Sequence, residues 1–196
     1  MYGRRYNTVL LNERISMKKI SYKVALGGVL AAVALLIMFT TGLAPFLTYV
    51  APMFAGMLAI MMMVEVSYGW ATLTYVAVAI LCILITPDRE AAFLYIFFFG
   101  YYPIVKGLIE KMKNGVLRWI LKFVVFNVST VTCYFLIINL FGMKDVFDSL
   151  NSMGKYGLLI FWIAANFTFL IYDNFLNSVA IMYVKWFRTK FLRKKK

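Results

Sequence analysis

The amino-acid sequence predicts an all-α polytopic membrane protein: six transmembrane helices, with the N- and C-termini both cytoplasmic. Three features predict this class: an apolar composition, six runs of membrane-spanning length, and basic residues gathered on one side. Of the 196 residues, 63% are hydrophobic and 15% are charged, whereas soluble domains run about half apolar and about a quarter charged. A helix needs about 20 mostly apolar residues to cross roughly 30 Å of hydrocarbon at about 1.5 Å per residue. Runs at 24–43, 46–65, 69–86, 91–109, 119–141 and 157–183 meet that requirement. Lys and Arg concentrate in short cytoplasmic loops. With the N-terminus inside, 18 of the 21 basic residues fall on the inner side. The chain then divides into a cytoplasmic basic segment at 1–23, a six-helix membrane domain at 24–184 and a cytoplasmic basic tail at 185–196.

The first span opens with "ALGGVLAAVA" at 25–34. Ala25, Gly28 and Ala32 share one face at spacings of three and four, and Gly27 with Ala31 forms a second small pair beside it. Such faces allow close helix approach in lipid, where packing drives association. The partner is either another helix of this chain or a separate membrane subunit. Pro45 and Pro52 are expected to break the first span from the second, because proline removes a backbone donor and disfavours helix in the residue before it.

The fourth span contains "LYIFFFGYYPIVKGLIEK" at 94–111, dense in aromatics, bent at Pro103 and leaving the bilayer at Lys106 to Lys111. Most of these rings are expected to pack or meet lipid, with Tyr95 nearest a ligand. The sixth span holds the costliest residue, Asp173, with Asn166 and Asn177 expected on the same inward stripe. A carboxylate at that depth costs at least ~2.5 kcal/mol unless paired. Lys106 and Lys122 lie in the inner thirds of spans four and five, so either is a candidate partner. A proton relay needs further titratable groups in series, and none follows within the stripe.

Absences narrow the chemistry. The chain has no histidine, which removes Ser-His-Asp hydrolysis, Cys-His proteolysis, His-ligated haem and most zinc sites. No GxGxxG, GxxxxGK(S/T) or HExxH motif occurs. Cys82 and Cys133 stand alone within spans, without metal or redox spacing. These absences predict a protein that is not an enzyme, with no cofactor and no metal. The net charge of +13 sits at predicted membrane edges, so anionic lipids of the inner leaflet are the expected partner and nucleic acid is not.

On the outer side, Thr41, Tyr49, Arg89, Glu90, Asn139 and Lys144 converge, with Trp162 and Asn166 below them. Ligand pockets combine apolar or aromatic walls with a few placed polar groups. Tyr49, Arg89, Glu90, Tyr95, Asn139, Trp162 and Asn166 are therefore the candidate binding residues for a small-molecule substrate.

A six-span chain of this length whose first span reads "KKISYKVALGGVLAAVALLIMF", followed by "LAPFLTYVAPMFAGMLA", resembles the substrate-binding S components of energy-coupling factor vitamin transporters. The resemblance covers the hydropathy profile of the whole chain, and residue by residue about 18 to 60. It implies capture of a vitamin or related micronutrient on the outward side of a bacterial plasma membrane. It also implies pairing with a membrane coupling subunit and two cytoplasmic ATPases. The family's AxxxA coupling face would fall on Gly28 and Ala32, with Gly27 and Ala31 as the alternate register. Glycine stands here for the first alanine. The rival reading is a non-transporting scaffold of the rod-shape type, which predicts a packed interior with no polar-lined outward cavity. A lipid-modifying enzyme would need carboxylates or a Cys near one interface.

Overall fold

The protein is described by a computed structural model covering the backbone of residues 2–141 and 156–185, and the side chains of 20–136, 156, 157 and 159–185. All elements among the described residues are helical. They are α1 (Tyr2–Phe39), a 3₁₀ turn (Thr40–Leu43), α2 (Leu47–Glu65), α3 (Tyr68–Ile85), α4 (Arg89–Leu94), a π-turn (Tyr95–Phe99), α5 (Tyr102–Ile109), α6 (Gly115–Phe141) and α7 (Gly157–Met182). Six helical segments are long and apolar enough to cross a membrane: Ile20–Leu43, Leu47–Glu65, Tyr68–Ile85, Arg89–Ile109, Gly115–Leu136 and Leu159–Lys185. Large apolar side chains such as Leu36, Leu84, Phe135 and Phe167 point outward from the bundle, the arrangement expected where lipid is the solvent. The basic stretch before the first span continues the same helix, since α1 begins at Tyr2.

Helix α2 is the hub of the bundle. Its backbone lies close to α1, α3, α4, the π-turn and α5. Small residues on its buried face, Ala51, Ala55 and Gly56, permit this. Two apolar clusters form on either side of it. One joins Ala34 and Met38 of α1 to Val78 and Cys82 of α3 and to Tyr95. The other joins Met57 and Ile60 to Phe98, Tyr102, Phe126, Phe169, Tyr172 and Leu176.

The two expected proline breaks differ. Ala44, which precedes Pro45, is extended at φ −158° and ψ 145° and separates α1 from α2. Pro52 instead lies inside α2. It breaks nothing, because one missing hydrogen bond is tolerated in a membrane helix held by its neighbours.

The fourth span is two helices joined by a π-turn, not one helix. Pro103 has no N–H to return to the carbonyl of Phe99 four residues earlier. The chain widens there, and Gly100 N–H reaches the Tyr95 carbonyl at 2.8 Å. The Tyr75 hydroxyl donates to the Ile96 carbonyl at 2.6 Å. Gly56 of α2 seats against this turn: a Cβ there would overlap the Phe99 carbonyl oxygen and lie 2.8 Å from its carbon.

Candidate functional site

Two polar features occupy opposite ends of the bundle, with an apolar cavity between them. At the end carrying the 3₁₀ turn, Asp88 caps α4 by accepting Glu90 N–H at 2.9 Å and Ala91 N–H at 3.4 Å. Its other carboxylate oxygen accepts the Thr48 hydroxyl, which ties α4 to α2. The Tyr49 hydroxyl donates to Glu90 at 3.1 Å. Arg89 turns toward α3, where Nη1 donates to the Ile83 carbonyl at 2.6 Å. The capping role of Asp88 has a sequence signal, an acid just before a helix start, in "PDRE".

Below this end lies a cavity of about 410 Å³ bounded by α2, α4 with its π-turn, α6 and α7. Tyr49 and Met53 line it from α2, Leu94, Phe98 and Phe99 from the fourth span, Phe126 to Tyr134 from α6, and Phe161 to Tyr172 from α7. Its volume lies within the range of pockets that hold small organic ligands. The described lining residues carry no charge. Their hydroxyls are mostly committed: Ser129 donates to the Val125 carbonyl at 2.6 Å, Thr130 to Phe126 at 2.9 Å and Thr168 to Ala164 at 2.9 Å. Ser129 also shares a hydrogen bond with Tyr101.

The Tyr172 hydroxyl differs, being buried with no hydrogen-bond partner among the described residues. An unsatisfied buried hydroxyl costs about 1–3 kcal/mol. Tyr172→Phe is therefore expected to melt at the same temperature as the parent protein or higher. A clear fall in melting temperature would show that this hydroxyl has a partner after all.

The other sequence-nominated residues stand apart from the cavity. Tyr95 is 3% exposed and packs beside Tyr75 on the opposite side of the π-turn. Trp162 packs edge-on against Phe161, and its carbonyl accepts the Asn166 amide at 2.9 Å. Asn166 pairs with Asn127 of α6, whose amide donates to it at 3.2 Å. Asn139 belongs to α6, but its side chain, like the whole of Lys144, is outside the described residues. Tyr49 is on the wall, with Glu90 one hydrogen bond behind it.

At the other end, Asp173 is 1% exposed and accepts from three groups. Lys106 contacts Oδ1 and also donates to the Asp173 carbonyl at 2.8 Å. The Tyr102 hydroxyl donates to Oδ1 at 2.7 Å, and Lys122 to Oδ2 at 2.9 Å. Sequence spacing left either lysine as partner; the geometry engages both. Lys122 continues to Glu110, which also pairs with Arg118 at 3.0 Å. The Lys122 hydrogen bond holds the half-exposed Glu110 carboxyl below the usual carboxylate range. Breaking a buried pair from one side is costly because it leaves an unpaired charge, so this chain clamps α5, α6 and α7 together. Asn177 does not join the inward stripe: it is exposed, and the buried face runs through Phe169, Tyr172 and Leu176 with Asp173 at its edge.

On α1 the two small-residue registers separate. A Cβ on Gly27 would come within 3.1 Å of Thr74 Oγ1, and Ala31 packs against the α1–α3 cluster, so this pair faces inward. Ala25, Gly28 and Ala32 are exposed, and a Cβ on Gly28 would meet nothing within 4 Å.

No family model, curated protein or solved structure matches this chain.

Proposed function

We propose that the protein is the substrate-capture subunit of a micronutrient uptake transporter, holding a small vitamin-like molecule on the outward side of a bacterial plasma membrane. A separate coupling subunit with cytoplasmic ATPases would energise it. The observation that carries this reading is the cavity of about 410 Å³ between α2, α4, α6 and α7. With the basic residues on the inner side, the Tyr49 end of that cavity would face outward and the Asp173 end inward. The exposed face of Ala25, Gly28 and Ala32 is shaped for close approach by another membrane helix. Anionic inner-leaflet lipids would meet the basic segments.

The test is ligand binding without ATP. Protein purified in mild detergent should be stabilised by one compound of a micronutrient panel, since ligand at 100 times its dissociation constant adds about 2.7 kcal/mol to the folded state. Ala165→Phe, which grows a ring into the cavity, should erase the thermal shift. If no compound binds and cell-envelope proteins alone copurify, the scaffold reading replaces capture.

Orientation has its own check. Cys82 and Cys133 are buried, so a single introduced cysteine reports cleanly. Leu43→Cys should react with an impermeant thiol reagent added to intact cells, and Asn114→Cys should not. The reverse pattern would turn the cavity mouth to the cytoplasm and end the capture reading.

A further inference from the structure

The cavity lies along a seam between α2 and α7, and the place where that seam opens bears on how a captured molecule arrives. The inference deepens the capture reading and rests on it for the cavity being a binding site. The two helices run in the same direction, as the order of their contacts shows. The Tyr183 hydroxyl donates to Glu65 at 3.2 Å at one end, and farther along Phe54 meets Phe175 edge-on, with ring centroids 6.4 Å apart. Beyond that ring pair the cavity lies between the helices, with Tyr49 and Met53 on one side and Ala164, Ala165 and Thr168 on the other.

Helical spacing explains the gap. Ala164, Thr168 and Phe175 share one edge of α7 at steps of four and seven. At Phe175 that edge carries a ring that spans the seam. At Thr168 and Ala164 it carries short side chains, and both residues are exposed. On one side of the edge lies the exposed apolar face of Ile163, Phe167 and Ile171. On its other side Phe161, Ala165 and Tyr172 line the cavity. The edge is thus a lip between the outer surface of the bundle and its cavity, and Tyr49, which is exposed and also lines the cavity, belongs to the opposite lip. Ala164 and Thr168 lie five and nine residues into the span Leu159–Lys185, about 8 and about 14 Å along the helix at ~1.5 Å per residue. An opening at that depth meets hydrocarbon, which is roughly 30 Å thick.

We propose that the cavity opens sideways into the bilayer between α2 and α7 and takes a lipophilic molecule already dissolved in the membrane. Its apolar body would lie among the rings of α6 and α7, with any polar end toward Tyr49. A polar solute using this entrance would have to shed its hydration in hydrocarbon, a step that a bilayer-soluble molecule does not face.

The probe is a phosphatidylcholine carrying a diazirine at mid-chain, which on irradiation inserts into the groups beside it; a sulfonated aryl diazirine is the counterpart in water. Full-length protein in nanodiscs is irradiated with each, and adducts are located by mass spectrometry. Ser129 and Cys133 line the cavity and are buried, so adducts there report a molecule inside. The lipid probe is expected to label them. Ala164→Phe at the lip and Ala165→Phe behind it should each lower that yield severalfold, while labelling of Val128 and Val131 on the exposed face of α6 stays unchanged. Retinol and phylloquinone in excess should compete for the cavity adducts, and riboflavin and biotin should not. Cavity adducts from the water-soluble probe alone, from neither probe, or from the lipid probe but unaffected by both variants would overturn the side entrance and leave capture from water standing. Competition by riboflavin or biotin, or by neither lipophile, would overturn the lipophilic class. Blockable lipid adducts in a protein that no micronutrient stabilises would keep the entrance and end the capture reading.

Discussion

Asp173→Ala is expected to cost about 3–5 kcal/mol, the usual penalty for removing one side of a buried ion pair, and to lower folded yield sharply. The loss is larger than that of a single hydrogen bond because three donors lose their acceptor together: Lys106, Lys122 and Tyr102. Asp173→Asn keeps an acceptor oxygen and the side-chain volume, so it should lie between the parent and Ala. The two lysines are not equivalent. Lys122 retains Glu110 when Asp173 is removed, and among the described contacts Lys106 retains a hydrogen bond to a main-chain carbonyl. Pairing Asp173→Asn with Lys106→Met should therefore recover more stability than pairing it with Lys122→Met. Thermal melting of the four variants in one detergent decides the matter. Equal recovery by both double variants would mean that the cluster shares its charge evenly, and a neutral effect of Asp173→Ala would remove the clamp altogether.

The sequence carried the spans well because hydropathy over about 20 residues is a strong, local signal. It also carried Asp173, since a charge deep in an apolar run has few ways to survive. The binding residues were less legible, and the fourth span shows why. On a regular α-helix, Tyr95, Phe98 and Tyr102 share one face at spacings of three and four. Here Tyr95 packs with α1 and α3, while Phe98 and Tyr102 pack with α6 and α7. The wider π-turn inserts an extra residue and rotates everything after Tyr95. Pro103 was the visible cue, but Gly56, against which the turn seats, lies on another helix. Asn166 misled in a different way. An amide inside a membrane helix signals that a partner exists, and here the partner is Asn127 rather than a ligand.

Gly56→Ala is the second change with a large expected effect, and its sign is not the one helix propensity gives. Alanine is favoured over glycine in a helix interior by about 1 kcal/mol. Against that gain stands the overlap of the new Cβ with the Phe99 carbonyl, whose carbon it would approach to 2.8 Å. Backbone lies on both sides of this contact, so no side chain can rotate to relieve it. Overpacking costs about 1–3 kcal/mol, and more where the backbone must move, so the clash wins. Relief requires α2 and the π-turn to separate, which shifts Phe98 and Phe99 in the cavity wall. Gly56→Ala should thus lower the melting temperature and also weaken any cavity ligand at temperatures where the protein remains folded. Gly28→Ala is the control of opposite expectation: its Cβ meets nothing within 4 Å, so propensity acts unopposed and the protein should be as stable or more so. If Gly56→Ala melts with the parent protein, the close seat of α2 on the π-turn is not what holds that wall of the cavity.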